Sequence, residues 1–535
     1  MDRMDEWNDS LKGDYLWSNV NFGEAVTEVM TPLTWSVIQF TLDDWTFLPG
    51  MPTVGVIAGR PYLNISIFMT LFKAMGRSQE DLLNYMESTL YMRLPDELQI
   101  PTIPVSPGAL ARGFLLSSRI RWQQQRGVQK LATYIATNET WFEHIRQAIQ
   151  SQTNAAGLSL LWHAQMKRHI KNGRHCVLGI ATYSADYTLK LRRQLEALVG
   201  PQDANLLIAN LSQEDAMLES LGPIVGITKL ARGEISREEY LAAYGHRGPN
   251  EFELSAPRPV EDPTWLDQQL DNVTRSPVDV DGLLTSQKQA FEAAWHRFQA
   301  RYLRAARRIE PRMVESAHRA CLRELARSAY VRDRWAVRLF ALRAGELTGL
   351  GDQVFFLRIT ELLALLSGDR SVVSRIEARK EAYQQYKALP PPPAVIRGTF
   401  VPVVSVDGRI WPSDISDADQ GVMARTASRL IEGSPGSAGV VEGRVRVIDL
   451  PENGHLLQPG EILVASQTDI AWTLLFPRAA AVITDIGAPL SHAAIVAREL
   501  GIPAVVGCGN ATLRLRTGDW VRVDGGRGTV EIIES

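Results

Sequence analysis

Apolar residues recur every three to four positions through most of the N-terminal part of the 535-residue chain. This spacing places apolar side chains on one face of a helix. Four segments show it clearly, at 186–198, 206–221, 284–309 and 361–388. The pattern therefore predicts a large, mainly α-helical domain over residues 1–388, with few strands in it.

Three segments rich in proline, glycine and polar residues interrupt the predicted helices. They are Thr31-Pro-Leu-Thr-Trp35, Gly59-Arg-Pro-Tyr-Leu-Asn64 and the segment from Tyr244 to Arg258. The third combines histidine, arginine and two glutamates within a few positions. Because loops on a rigid scaffold often carry binding residues, we expect irregular loops here and binding chemistry in the third.

The proline run Leu389-Pro-Pro-Pro-Pro393 ends the helical pattern. Consecutive prolines cannot extend a helix and favour a stiff extended spacer. We therefore predict a domain boundary here, with residues 389–427 as a linker or bridge. Within it, residues 400–406 are valine-rich like a strand but contain Pro402, whereas residues 412–421 are polar and turn-like. Both a folded bridge and a tether remain open.

The pattern changes after residue 427 to short runs of β-branched residues beside glycines. These runs lie at 440–448, 461–465, 480–484, 504–506 and 520–523. They predict a small α/β domain over residues 428–535. The predicted fold class is thus a multidomain protein, with a large mainly α-helical domain followed by a small α/β domain.

The segment from Val482 to Gly507 is the most informative part of this domain. A buried strand is expected to end at Thr484, and a helix to begin near Ser491 and end at Gly501. His492 would then lie in the first helical turn, where free N–H groups and the helix dipole disfavour imidazolium. A neutral imidazole there is able to attack phosphorus. The alternative is a histidine that only hydrogen-bonds the turn.

Composition narrows the function classes. The formal net charge is −3, so bulk charge does not favour nucleic-acid binding. The three cysteines, Cys176, Cys321 and Cys508, form no paired motif and fit a reducing compartment. The N-terminus is acidic and polar, whereas a secretory signal has a basic start followed by an apolar stretch. The sequence has no uninterrupted apolar run of about 18 residues, the length needed to span a bilayer. We therefore expect a cytoplasmic protein with no membrane and no nucleic-acid partner.

The segment around His492 resembles the phosphohistidine motif of the swivelling domain of PEP-utilising enzymes, such as phosphoenolpyruvate synthase, pyruvate phosphate dikinase and rifampicin phosphotransferase. Similar segments follow along the domain at 433–443, 459–464, 468–469 and 518–525. The resemblance implies that His492 carries a phosphoryl group. Two positions depart from the family pattern. Many members have Gly-Gly where this chain has Gly487-Ala488, and dikinases often have a threonine where this chain has Leu490. Regulation through that threonine is therefore not implied.

The helical region resembles the substrate-binding domain of rifampicin phosphotransferase at Thr31–Trp35, Gly59–Tyr62 and Gly245–Glu253, in the same order along the chain. Full-length enzymes of that kind begin with an ATP-grasp domain, whereas only about fifteen residues precede the helical region here. No P-loop pattern occurs in the sequence. We therefore expect a separate ATP-grasp subunit, with Mg²⁺ and ATP, to phosphorylate this chain, as in phenylphosphate synthase.

Transfer from a phosphohistidine needs positioning, neutralisation of the phosphoryl oxygens and a base for the acceptor proton. The candidate catalytic residues are His492, His246 as the base, Arg247 and Glu251. The candidate residues for substrate or phosphate binding are Arg60, Glu253, Arg258, Ser491 and Gly487. No metal-ligating residue is predicted. The alternative for the Arg-Glu-rich segment is a structural role in which it ties helices together.

The expected acceptor is a hydroxyl of a small organic molecule. Thirteen tryptophans suggest an aromatic pocket, although most must belong to ordinary core. No (β/α)₈ barrel is evident after the histidine domain, which argues against pyruvate or phosphoenolpyruvate. Whether phosphorylation yields the final product or activates the acceptor for a later step remains open. The alternatives are a non-catalytic phosphate carrier or ligand-binding scaffold, and a structural protein whose histidine is never phosphorylated.

Overall fold

The computed structural model describes residues 7–10, 13–19, 22, 26, 28–48, 50–90, 94, 98–209, 219–275, 277, 279–389, 392–400, 403–404, 410–411, 429–489 and 491–534. Helices dominate the region before residue 389. They are α1 (Pro32–Thr41), α2 (Ile65–Ala74), α3 (Gln79–Leu90), α4 (Pro107–Ser151), α5 (Ala155–Leu161), α6 (Lys167–Leu207), α7 (Gly222–Ala231), α8 (Arg237–Tyr244), α9 (Pro263–Arg275), α10 (Val280–Arg301), α11 (Leu303–Thr348), α12 (Ile359–Leu366) and α13 (Ile376–Ala388). The predicted helical domain is confirmed.

Three long helices, α4, α6 and α11, pack against one another and form the centre of this region. Their apolar faces meet in a core that includes Phe142, Ile170 and Phe340. None of the helices in the described ranges is long and apolar enough to cross a membrane. The central bundle provides a rigid scaffold on which the segment after α8 is held.

Two predicted helical runs differ in detail. The run at 284–309 is divided at Tyr302, between α10 and α11, and the run at 361–388 is divided into α12 and α13 by a 3₁₀ turn at Arg370–Arg375. The predicted run at 206–221 lies partly outside the described residues, which end at 209 and resume at 219.

A four-stranded antiparallel sheet at the N-terminus was not expected from the sequence. Its strands are β1 (Leu16–Ser18), β2 (Val54–Ile57), β3 (Arg60–Asn64) and β4 (Val395–Arg397), in the order β2-β3-β1-β4. The expectation of an irregular segment at Gly59–Asn64 was wrong, because its last five residues form β3. All five are buried, and a strand buried on both faces shows no polar–apolar alternation in its sequence.

The predicted bridge is partly folded. Strand β4 pairs with β1, so the chain just after the prolines adds to the N-terminal sheet. Two short strands, β5 (Val403–Val404) and β6 (Ile410–Trp411), pair with each other. Pro390 and Pro391, the rest of residues 400–406, and residues 412–421 lie outside the described part of the chain.

The C-terminal domain is α/β, as predicted. Its strands are β7 (Leu430–Glu432), β8 (Ser434–Ser437), β9 (Val440–Val447), β10 (Ile462–Ala465), β11 (Ala481–Thr484), β12 (Ala504–Val506), β13 (Trp520–Asp524) and β14 (Thr529–Glu534), with α14 (His492–Glu499) and α15 (Ala511–Arg514). They form one sheet in the order β7-β14-β13-β9-β10-β11-β12-β8. The pairs β9–β10, β10–β11 and β11–β12 are parallel.

Residues of the central strands alternate between two cores. Ile462 and Ile483 face a core within the small domain. Leu463 and Val482 face an interdomain cluster, in which apolar side chains of both domains pack together. The helical region contributes Leu221, Ile224, Ile227, Tyr240, Leu266 and Val280 to this cluster. The small domain is therefore docked on the helical region through a continuous apolar contact.

Candidate functional site

His492 is the first residue of α14, directly after the turn that leaves β11. Ser491 is the N-cap, and its side chain accepts a hydrogen bond from the Ala494 N–H at 3.3 Å. Gly487, in the turn, has a φ of 149°, a value that favours glycine. The predicted strand, turn and helix are confirmed, and they place the imidazole at the positive end of the helix.

The His492 side chain is buried, with 7% of its surface exposed. Its Nε2 atom lies 3.0 Å from the Thr473 hydroxyl, in the turn Ile470–Leu474. Burial, followed by the positive charge of Arg327, lowers the pKa of His492 to about 4. The imidazole is consequently neutral near pH 7, the form that has a nitrogen lone pair for attack.

An ion-pair cluster of the helical region lies next to His492. Arg247 Nε donates to Glu251 Oε2 at 2.7 Å, and Arg327 Nε donates to Glu251 Oε1 at 3.1 Å. Burial alone would raise the pKa of Glu251, but the two arginines lower it by more, so that the pKa is about 2. Glu324, paired with Arg323 at 3.1 Å, also acts electrostatically on His492. The docked domains thus bring the histidine together with the predicted Arg247 and Glu251.

His246 lies one residue before Arg247 and is buried. Its Nε2 is 2.8 Å from the Ser328 hydroxyl, which donates to Glu219 Oε1 at 2.9 Å. Burial and the neighbouring Arg332 and Arg247 hold the pKa of His246 well below its ordinary value. Since Ser328 donates its proton to Glu219, it accepts from His246 Nε2. The ring then has its unprotonated nitrogen at Nδ1, as a general base requires.

The same segment makes a polar contact between the two domains. The backbone N–H of Asn250, which has a φ of 51°, donates to Asp469 Oδ2 at 3.3 Å. Burial is the main reason that the pKa of Asp469 rises to about 6, and the negative charge of Glu251 adds to it. Asp469 is therefore both a docking residue and a buried carboxyl next to the ion-pair cluster.

The other predicted binding residues have different surroundings. Glu253 accepts five hydrogen bonds, from the backbone or hydroxyl groups of Thr31, Thr34 and Ser255. It joins two of the segments noted in the sequence and acts as a structural clamp. Arg60 lies on β3, beside Tyr62, Glu28 and Tyr383, away from the charges that act on His492.

Arg258 is fully buried, at the end of the segment that carries the ion-pair cluster. Among the described residues, none accepts a hydrogen bond from its Nε, Nη1 or Nη2 atom. Burial is the main reason that its pKa falls to about 10.

The sequence interpretation missed Arg327 and Glu324 on α11 and Thr473 and Asp469 in the small domain. Arg327 and Glu324 lie in an arginine- and glutamate-rich helix, whose sequence is typical of a solvated face. Their spacing of three residues places both side chains on one face of α11. This spacing was the sequence feature that could have indicated a shared site. Thr468-Asp469 was noted for its resemblance but not as part of the site.

Arg498 was not among the candidate site residues, but it is buried at the domain interface. Its side chain is 3% exposed and donates to Asn205 Oδ1 at 3.1 Å, across the domain interface. It also donates to the carbonyls of Gly436 at 2.6 Å and Pro489 at 2.8 Å. Polar acceptors on both domains thus compensate the burial of Arg498. The sequence around Arg498 does not indicate that it is buried.

Over the described ranges, no group of three or more His, Cys, Asp or Glu side chains is arranged to hold a metal ion. Glu251 and Glu324 are the carboxylates next to His492, and each is paired with arginine. They do not form the open set of oxygen ligands that Mg²⁺ prefers.

Comparisons with known proteins agree with this architecture. Residues 457–528 match the family described as PEP-utilising enzyme, mobile domain. Residues 144–333 match the family described as rifampicin phosphotransferase fourth domain. The resemblance noted in the sequence is confirmed by these two matches, which cover the small domain and the bundle around α6 and α11.

Individual relatives show the same similarity. The prodigiosin synthesizing transferase PigC of Serratia marcescens is 27% identical over 98% of this chain and 64% of its own length. Rifampicin phosphotransferase of Bacillus cereus is 34% identical over 34% of this chain and 19% of its own length. The uncharacterized phosphotransferase YvkC of Bacillus subtilis is 28% identical over 55% and 36%, respectively. The chain spans less than two thirds of the length of each. By these matches, the C-terminal domain is similar to the mobile domain of PEP-utilising enzymes, and the helical region before it is similar to the fourth domain of rifampicin phosphotransferase.

Proposed function

We propose that this chain is a phosphotransferase component in which His492 accepts a phosphoryl group and delivers it to a hydroxyl of a small organic molecule. The observation that carries the proposal is the position of a neutral, buried imidazole at the start of α14, next to Arg327 and the Arg247–Glu251 pair. A nucleophilic nitrogen and a positive environment for phosphoryl oxygens are the two requirements for a phosphohistidine carrier.

The donor in this proposal is ATP with Mg²⁺, bound to a separate ATP-grasp subunit. The support is the similarity to rifampicin phosphotransferase together with the chemistry of the site, where arginines engage both nearby carboxylates. The small domain must leave its docked position to reach such a donor, because His492 is covered in the docked state. It returns to the helical region for the second transfer.

In the second transfer the acceptor oxygen attacks phosphorus as the bond to the His492 nitrogen breaks, and His492, which keeps the proton on its other ring nitrogen, leaves as a neutral imidazole. Arg327 and Arg247 stabilise the negative charge on the phosphoryl oxygens. The hydroxyl proton passes to Nδ1 of His246, which is kept neutral by burial and neighbouring arginines. Ser491 and Gly487 contribute the N-cap and the turn that hold His492 at the helix terminus.

A second candidate function, a non-catalytic phosphate carrier or ligand-binding scaffold, is favoured by one observation. Glu251 and Glu253 are fully engaged by internal partners, as in a structural network. If this alternative is correct, His492 becomes phosphorylated while His246→Ala leaves product formation unchanged.

The experiment is intact-protein mass spectrometry after incubation with Mg-ATP, with and without an ATP-grasp partner, under alkaline conditions that preserve phosphohistidine. The expected result is a gain of one phosphoryl mass that requires the partner and disappears in His492→Ala. His455→Ala is the matched control, because His455 is an exposed histidine of the same domain. An unchanged phosphoryl gain in His492→Ala would refute the proposal.

A further inference from the structure

The guanidinium of Arg258 is the least compensated charge near the candidate site. Its side chain has no exposed surface, and within the described part of the chain all three of its nitrogens are without a hydrogen-bond partner. A buried charge without hydrogen bonds costs several kcal/mol, so proteins retain one only when something else compensates it. Arg498, another buried arginine, shows the usual arrangement, with three acceptors for its guanidinium.

Neighbouring acids do not supply the missing partner. Glu251 is occupied by Arg247 and Arg327. Glu261 accepts from the Arg258 backbone N–H, from Arg338 Nε at 2.9 Å and from Trp335 Nε1 at 3.1 Å. Both carboxylates attract the guanidinium electrostatically without a hydrogen bond to it.

Positive charge is concentrated around this position. Arg334 and Arg338 act on Arg258, and Arg247 and Arg258 both act on His246. The Nη1 atom of Arg247 is a further buried donor without a partner in the described ranges. The unpartnered guanidinium of Arg258 and the unpartnered Nη1 atom of Arg247, both near the candidate base His246, form an environment that is complementary to an oxyanion.

We propose that Arg258 binds an oxyanion of the acceptor, a carboxylate or a phosphate, so that the substrate class is an anionic alcohol. This inference rests on the proposed function and names the class of its acceptor. The anion is held at Arg258 while the hydroxyl lies between His246 and His492. The segment that ends at Arg258 also contacts Asp469 of the small domain through Asn250.

The first test separates ligand binding from a structural role. Arg258→Met removes an uncompensated buried charge, so the ligand-free variant should be as stable as the wild-type chain or more stable in urea unfolding. If Arg258 instead supported the fold, the variant would be clearly less stable, and that outcome would overturn the proposal.

The second test measures binding of inorganic phosphate and of acetate to the full chain by isothermal titration calorimetry. Arg258→Met should weaken binding of the preferred anion at least about tenfold, as expected for loss of a charged hydrogen-bond donor. Tighter binding of phosphate indicates a phosphorylated acceptor, and tighter binding of acetate indicates a hydroxy acid. The matched control is Arg319→Met, which removes a buried arginine of α11 that is paired with Glu315 at 2.6 Å and should leave binding unchanged.

The two proposals can fail separately. Anion binding that persists in His492→Ala and is lost in Arg258→Met supports the anion site whatever the fate of the phosphohistidine. Binding that persists in Arg258→Met but is lost in Arg327→Met would place the anion at His492 and overturn the assignment. If neither phosphate nor acetate binds the wild-type chain, the assignment is overturned as well.

Discussion

Burial sets the protonation state of the two histidines at the candidate site. Both imidazoles lie next to arginines, which add to the effect of burial and disfavour the charged form. Both side chains are thereby neutral over a wide pH range, as the proposed nucleophile and the proposed base must be. An exposed histidine such as His455 has no comparable environment.

The pKa of His492 leads to a prediction about stability. Its value of about 4 in the folded chain is below the ordinary value of 6.5, so the unfolded chain binds more protons between these limits. The stability contributed by neutral His492 should be present above about pH 6.5 and be lost as the pH falls toward 4. Between pH 6.5 and pH 4, the free energy of unfolding of His492→Gln should fall by less than that of the wild-type chain, with a difference on the order of 3 kcal/mol. Equal pH dependence of urea unfolding in the two proteins would contradict the assigned environment.

At the scale of the element, α14 is held at both ends. Ser491 caps its start, and Gly501, with a φ of 69°, ends it while the Ile502 N–H donates to the Ala497 carbonyl at 2.8 Å. Arg498 then joins the last turn to β8, to the turn before the helix and to Asn205 of α6. These contacts fix the orientation of His492 at the opposite end of the helix.

Removal of the Arg498 side chain should therefore destabilise the protein. Arg498→Met leaves two carbonyls and an amide oxygen without their charged donor, and we expect a loss of about 3 kcal/mol in the free energy of unfolding. Arg527→Met is the control, because that side chain is 82% exposed and its loss should change stability by less than about 0.5 kcal/mol. Calorimetric melting of both variants checks the difference, and equal melting temperatures would contradict the anchoring role.

The elements differ in how far the sequence predicts them. The helix at His492 was predictable because its cap, its glycine and Pro503 are local signals. Strand β3 was not, because Arg60–Asn64 is buried on both faces. The partners of His492 were also beyond the sequence, since Thr473 and Arg327 reach it only through tertiary packing and domain docking.

At the scale of the whole molecule, the structure is one docked arrangement of two domains. The interdomain cluster supplies apolar contact, while Asn250–Asp469 and a hydrogen bond from Gln287 Nε2 to the Arg498 carbonyl at 2.7 Å add directional contacts. A carrier that visits two sites needs an interface that holds but also releases. A buried carboxyl with a raised pKa, Asp469, suits such an interface because its burial is costly.

Loss of this contact should shift the chain toward the undocked state. In Asp469→Ala, backbone amides of α14 and of the segment 470–474 should exchange with deuterium faster than in the wild-type chain, because both elements lie at the interface. Asp524→Ala alters an acidic residue of the same domain on β13 and should leave exchange at α14 unchanged. Unchanged protection of α14 in Asp469→Ala would contradict a docking role for that residue.

His492 is the residue proposed to take the phosphoryl group. Potassium phosphoramidate transfers phosphoryl groups to nucleophilic histidines without any partner protein, so it tests the chain alone. After incubation, peptide mapping under alkaline conditions should find phosphohistidine at His492, with that phosphopeptide absent from His492→Ala and unchanged in His455→Ala. Labelling confined to other histidines, or no labelling of the wild-type chain at all, would contradict the account.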